Sequence, residues 1–145
     1  MLAKYLGKCT KEAISDIQAK YSLTFPADYA AFLMEYNGAI AGEEAVVVLP
    51  SIANYIELDS LFGLNCDRKW LDFEYWMDKY CDELPHDGAI IGRDVLGGFL
   101  VLVCRGEDAG VYYWDTALNY DTSTPNSNAY PIADSFADFF KAIQH

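Results

Sequence analysis

The stretch "LTFPADYAAFLMEYNGA", residues 23–39, is the most strongly ordered piece of the chain, and the rest is read outward from it. Pro26 suits a first helical turn, where a missing N–H costs nothing, and Asp28 lies at the positive end of the helix dipole. Tyr29, Phe32, Leu33 and Tyr36 follow at spacings that place all four on one stripe. Gly38 can adopt the left-handed conformation that closes a helix, so Asn37-Gly38 reads as the stop. The spacing predicts a helix over 26–37 whose aromatic stripe faces a core. Three aromatics on so short a helix require a broad apolar partner, and the remaining chain has to supply it.

Composition bounds the answer. The chain has 145 residues, of which 52% are apolar and 15% aromatic. A chain of that length buries roughly two-thirds of its unfolded surface, so residues 1–145 are expected to form one domain without disulfides or metal. The opening "MLAKYLGKCTKEA" is interrupted by Lys4, Lys8, Lys11 and Glu12 and does not read as a leader. No apolar run reaches the length of about 18 residues that a membrane span needs. Cys9, Cys66, Cys81 and Cys104 lack CxxC spacing and read as free thiols. A cytoplasmic location is expected.

The net charge of −12 is unevenly placed. Residues 1–40 balance four lysines against Glu12, Asp16, Asp28 and Glu35, so the whole excess lies in 41–145. Half of it falls between Glu57 and Asp87, where nine acids meet three bases. Such a segment serves solubility or docks a basic partner. Direct nucleic-acid binding is disfavoured, because phosphate contacts call for Lys and Arg.

Along the chain, Thr10 caps a first helix bearing Ile14, Ile17 and Tyr21. "EEAVVVLPS" (43–51) has the β-branched run of a buried strand, and "NYIELDSLFGL" (54–64) reads as a strand or an irregular connector. In "DRKWLDFEYWMDKYCDEL" (67–84), Trp70, Phe73, Met77, Tyr80 and Leu84 recur at helical spacing, with acids over much of the remaining surface. The period then becomes that of a sheet. "GAIIGR" (88–93), "GFLVLVCR" (98–105) and "GVYYWDT" (110–116) are joined by short glycine-containing loops that suit antiparallel neighbours. The polar loop 117–128 is expected to be mobile, and Asp134 or Ser135 to cap a last helix bearing Phe136, Phe139, Phe140 and Ile143. The order ααββαβββα predicts an α+β fold with a mainly antiparallel sheet of about five strands.

Catalytic chemistry finds little material. Of the two histidines, His86 follows Pro85 in a loop and His145 ends the chain. GxSxG, HExxH, Walker A and GxGxxG patterns are absent, and "GRDVLGG" reads as a β-turn. Cys81 and His86 form a poor frame for a nucleophile–base pair. Asp94, Asp108 and Asp115 sit near strand ends and could gather round a cation. Without the spacing of a known loop they read as solvated turn acids. No enzyme activity, cofactor or metal is expected. Tyr112 and Trp114 point away from Tyr113, so one set is core and the other a candidate contact surface.

Five stretches in this order, "FPADYAAFLMEYNGA", "LFGL" (61–64), "LPHDGAIIGRDVLGGFLVLV" (84–103), "GVYYWDT" and "IADSFADFFKAI" (132–143), resemble the landmarks of the SUKH superfamily. The resemblance runs over nearly the whole chain from residue 10. It departs at Ala39, where many relatives carry a second glycine, and in the long aromatic helix of 67–84. It implies structural roles for Pro26, Tyr29, Phe32, Leu33, Asn37, Gly38, Asp94, Gly97, Gly98, Trp114, Asp115 and Phe136. It also implies an α+β fold shared by fungal cell-wall-synthesis regulators and bacterial immunity proteins that neutralise toxins, often nucleases. The expectation is a monomeric, non-catalytic module that binds a basic partner such as a toxin domain, or alternatively a regulatory scaffold for an endogenous partner. Glu57, Asp59, Asp72, Glu74, Asp78, Asp82, Glu83 and Asp87 are its candidate contact residues.

Overall fold

A computed structural model describes residues 2–143. After strand β1 (Leu2–Tyr5) come helices α1 (Lys11–Tyr21) and α2 (Ala27–Glu35). Strands β2 (Ala39–Ala41), β3 (Val46–Leu49) and β4 (Asn54–Leu61) precede helix α3 (Phe73–Tyr80). Then follow β5 (Gly88–Asp94), β6 (Phe99–Val103), β7 (Gly110–Trp114), β8 (Ala129–Ala133) and α4 (Phe136–Ile143). The sheet order is β1-β2-β4-β5-β6-β7-β8, with β3 paired to the first half of β4. Every strand pair is antiparallel, and β5, β6 and β7 are consecutive, as their short connections require.

The sheet has eight strands rather than about five. The additional ones are β1, β2 and β8, which are short or carry charge or proline. Pro131 is compatible with β8 because that strand lies at the sheet edge, where a missing donor costs no ladder bond. In β3 only Val47 and Leu49 are buried, whereas Val46 and Val48 are exposed. The triple-valine run is therefore a half-buried strand, not a fully buried one.

Helix α1 is capped by Thr10, whose hydroxyl accepts the Ala13 N–H at 3.1 Å. Asp28 accepts the Tyr29 N–H through Oδ1 and the Ala137 N–H through Oδ2, so one carboxylate serves the starts of α2 and α4. Tyr29, Phe32 and Leu33 are buried, and the Phe136 ring lies 5.0 Å from both Tyr29 and Phe32. The partner of the aromatic stripe is thus the phenylalanine-rich face of α4, together with the sheet. Tyr36 is half-buried and stacks on Tyr5 of β1 at 4.0 Å.

The acidic helix is shorter than its apolar spacing suggests. A 3-10 turn covers Lys69–Leu71, Asp72 is extended, and α3 begins at Phe73. That break rotates Trp70 away, leaving it half exposed, while Trp76 takes the buried position. The Trp76 indole N–H donates to the Trp70 carbonyl at 3.0 Å, so the break is itself bonded.

Candidate functional site

Three buried polar locks fix the frame on which any surface site must sit. In the first, Asn37 is buried with φ +48°, its amide N–H donates to the Leu64 carbonyl at 2.9 Å, and its Oδ1 accepts the Leu64 N–H at 2.7 Å. Gly63 lies so close to Asn37 that a Cβ there would be 2.0 Å from the Asn37 carbonyl oxygen. The "NG" and "LFGL" landmarks are the two halves of one contact. Asn37 therefore does more than stop a helix.

In the second, Asp94 is wholly buried; Oδ1 accepts the Gly98 N–H at 2.7 Å and Oδ2 the Tyr113 hydroxyl at 2.9 Å. Burial pushes the Asp94 carboxyl above its usual range, and these bonds oppose that shift. Burial likewise raises the Tyr113 phenol well above its ordinary value. A side chain at Gly98 would overlap the Tyr113 ring. In the third, Asp115 accepts the N–H groups of Asn119 and Tyr120 and the Ser123 hydroxyl. Tyr120 also donates to the Tyr55 carbonyl at 2.7 Å. The loop 117–128, expected to be mobile, is thereby tied to the sheet at several points. Asp94 and Asp115 are occupied structural acids rather than solvated turn acids, while Asp108 is exposed. Among the described residues no three His, Cys, Asp or Glu side chains gather as a metal site.

Strand alternation divides the β6–β7 pair into two faces. Leu100, Leu102, Val111 and Tyr113 are buried on one. Phe99, Val101 and Val103 lie opposite Trp114, Tyr112 and Gly110 on the other. Trp76 and Tyr80 of α3 cover Phe99 at 5.3 and 5.0 Å. Beyond them lies a groove of about 560 Å³ lined by Leu84, Pro85, Val101, Val103, Tyr112 and Trp114, with Glu83 and Asp108 beside them. Tyr112 and Trp114 are half-buried, so this is the contact-capable aromatic set. Tyr112 is held by its hydroxyl, which donates to the Asp108 carbonyl at 2.6 Å.

The eight candidate acids do not share one face. Glu74 and Asp78 meet Lys20 of α1, whose Nζ is 2.8 Å from Glu74 and 3.4 Å from Asp78. Asp78 also accepts the Tyr21 hydroxyl. Asp72 is half-buried and accepts the Cys66 N–H. Asp87 has φ +61° and pairs with Arg105 at 3.2 Å. Asp82 and Glu83 are exposed in the 3-10 turn after α3, near the groove. Glu57 and Asp59 are exposed on β4, beside Glu43 and Glu44. Lys20 lies 54 residues from Glu74, and no local pattern announces that pairing.

The molecule is an α+β protein with an eight-stranded antiparallel sheet, whose glycines, Asn37 and two buried aspartates lock its turns together. The chain belongs to the SMI1/KNR4 family (SUKH-1), whose model matches residues 8–142. Comparison with curated proteins and with solved structures returned no match. Among the described residues no helix is long and apolar enough to cross a membrane.

Proposed function

We propose that this chain is a non-catalytic protein-binding module of immunity type that binds and neutralises a toxin, a nuclease being the partner class its acidity suits. The same reading takes residues 1–145 as one domain, acting as a monomer in the cytoplasm. The observation that carries it is the open groove on the β6–β7 face, where Tyr112 and Trp114 stand half exposed beside Glu83 and Asp108. Aromatic anchors surrounded by like charge suit a basic protein surface: the rings supply desolvated contact area and the acids steer approach. Asp82 and Glu83 carry the electrostatic part. Glu74 and Asp78 contribute less, because Lys20 already offsets them.

The test is association with the protein encoded by the neighbouring gene, followed by biolayer interferometry. Asp82→Lys with Glu83→Lys should slow association several-fold and flatten its salt dependence. Trp114→Ala should speed dissociation by the equivalent of about 2 kcal/mol, the cost of a central aromatic contact. Binding with unchanged rates in both variants removes this groove from the interface. Absence of binding by the wild-type chain removes the toxin reading and leaves that of a scaffold for an endogenous partner.

A further inference from the structure

The β3–β4 hairpin turns apolar side chains towards solvent without cover. Val46 is 41% exposed, Val48 60% and Tyr55 54%. Strand alternation and register place them together, with Val48 opposite Tyr55 and Val46 opposite Glu57. The Val95 N–H donates to the Glu57 carbonyl at 3.0 Å, which sets the β5–β6 turn, with Val95 and Leu96, beside the hairpin. Those two are 52% and 60% exposed. Isolated exposed apolar residues are ordinary, but five gathered on a hairpin and the turn beside it mark a contact surface.

Charge identifies the occupant. Glu43, Glu44, Glu57 and Asp59 line the crevice on one side of the hairpin, and Asp134 and Asp138 line the crevice beside β3 on the other. Neither crevice includes a Lys, Arg or His, and none of these six acids forms an ion pair among the described residues. A second copy docked face to face would set six carboxylates against six. We infer that this hairpin face docks a protein whose contact surface has an aliphatic or aromatic centre flanked by Lys and Arg, as a second contact separate from the β6–β7 groove. The inference rests on the protein-binding reading of the chain and adds a surface to it.

The probe is a synthetic peptide of alternating lysine and valine, titrated into the ¹⁵N-labelled full chain, with an alternating glutamate–valine peptide as control. The lysine peptide should give saturable amide shifts at 46–48, 55–57 and 95–96. Its affinity should fall about tenfold between ~50 and ~300 mM salt, as expected when exposed charges dominate the contact. The pair Val48→Lys and Tyr55→Lys, at exposed positions that leave the core intact, should abolish the shifts. Equal response to the glutamate peptide, or shifts confined to Tyr112 and Trp114, overturns the inference. Concentration-dependent shifts of the same amides without peptide overturn it in favour of self-association. Failure of the lysine peptide to shift the hairpin amides of the unmutated chain, while the neighbouring gene product still binds through the groove, defeats this inference alone and leaves the functional reading standing.

Discussion

Asn37 offers the most direct test of how the family landmarks hold the fold. Its side chain makes both available bonds to Leu64, which is buried, so truncation to alanine strands one N–H and one carbonyl away from water. Each stranded group costs about 1–3 kcal/mol. Asn37 also sits at φ +48°, a conformation asparagine tolerates better than alanine, which adds about 1 kcal/mol to Asn37→Ala. The expected loss for Asn37→Ala is therefore about 3–7 kcal/mol. Asn37→Gly relieves the backbone term but not the bonds, and should lie about 1 kcal/mol above the alanine variant. Asn37→Asp keeps an acceptor for the Leu64 N–H but turns a charged oxygen towards the Leu64 carbonyl, so it should be no better than alanine. Urea unfolding followed by tryptophan fluorescence gives the order wild type, glycine, alanine, aspartate. A glycine variant as stable as wild type would show that backbone conformation alone matters at this site, and the clamp argument would fail.

Gly38→Ala should also be severe, because φ is +98° and a Cβ would lie 2.7 Å from the Leu61 carbonyl oxygen; a midpoint within experimental error of wild type contradicts the close approach. Asp115→Ala removes three hydrogen bonds, so amide exchange across 117–128 should accelerate and global stability fall by about 2–4 kcal/mol. Unchanged exchange in that loop would show that Tyr120 and its neighbours hold it without Asp115. Burial pushes the Cys104 thiol up to about 12 and the Cys66 thiol up to about 11, whereas Cys81 is exposed. Iodoacetamide at pH 8 should therefore modify Cys81 first and Cys104 only on unfolding, since a thiol raised this far holds roughly a thousandfold less thiolate than a free one. Rapid labelling of Cys104 in the folded chain would contradict its placement.

What was legible in the sequence had a short-range cause. Helix α2 and the β5–β6–β7 meander follow from apolar period, a proline start and glycine turns, all within a few residues of where they act. The misreadings have physical reasons too. Trp70 and Phe73 share helical spacing, but Asp72 leaves helical geometry and hands the buried site to Trp76. A run of three valines does not reveal whether both faces of its strand will be covered, and β3 has only one face covered. Strand β8 was hidden by Pro131, which is compatible only with an edge. The spread of the candidate acids over the surface is not legible locally, because the partners that engage some of them are remote: Lys20 for Glu74 and Asp78, and Arg105 for Asp87. Asn37 and Leu64 are 27 residues apart, so half of that clamp was visible and its purpose was not.

The locks and the proposed contact surfaces are parts of one arrangement. Val95 and Leu96 project from the turn that Asp94 closes through the Gly98 N–H. Tyr55 lends its carbonyl to Tyr120, whose own N–H is held by Asp115. Trp114 precedes Asp115, and the Asp115 N–H donates to the carbonyl of Asn128 on the groove wall at 2.8 Å. Val95 and Leu96 thus stand on a turn pinned by a buried carboxylate, and Tyr55 and Trp114 stand on strands tied to a loop that another buried carboxylate holds. A surface held in this way loses little conformational entropy on binding, and that loss is a main opponent of affinity. Burying Asp94 and Asp115 is costly for an isolated domain, since a desolvated carboxyl must be matched bond for bond. Only two of the 22 acids are buried outright, both at connections next to strands that carry proposed contacts; most of the other acids lie at the surface, where a basic partner can meet them.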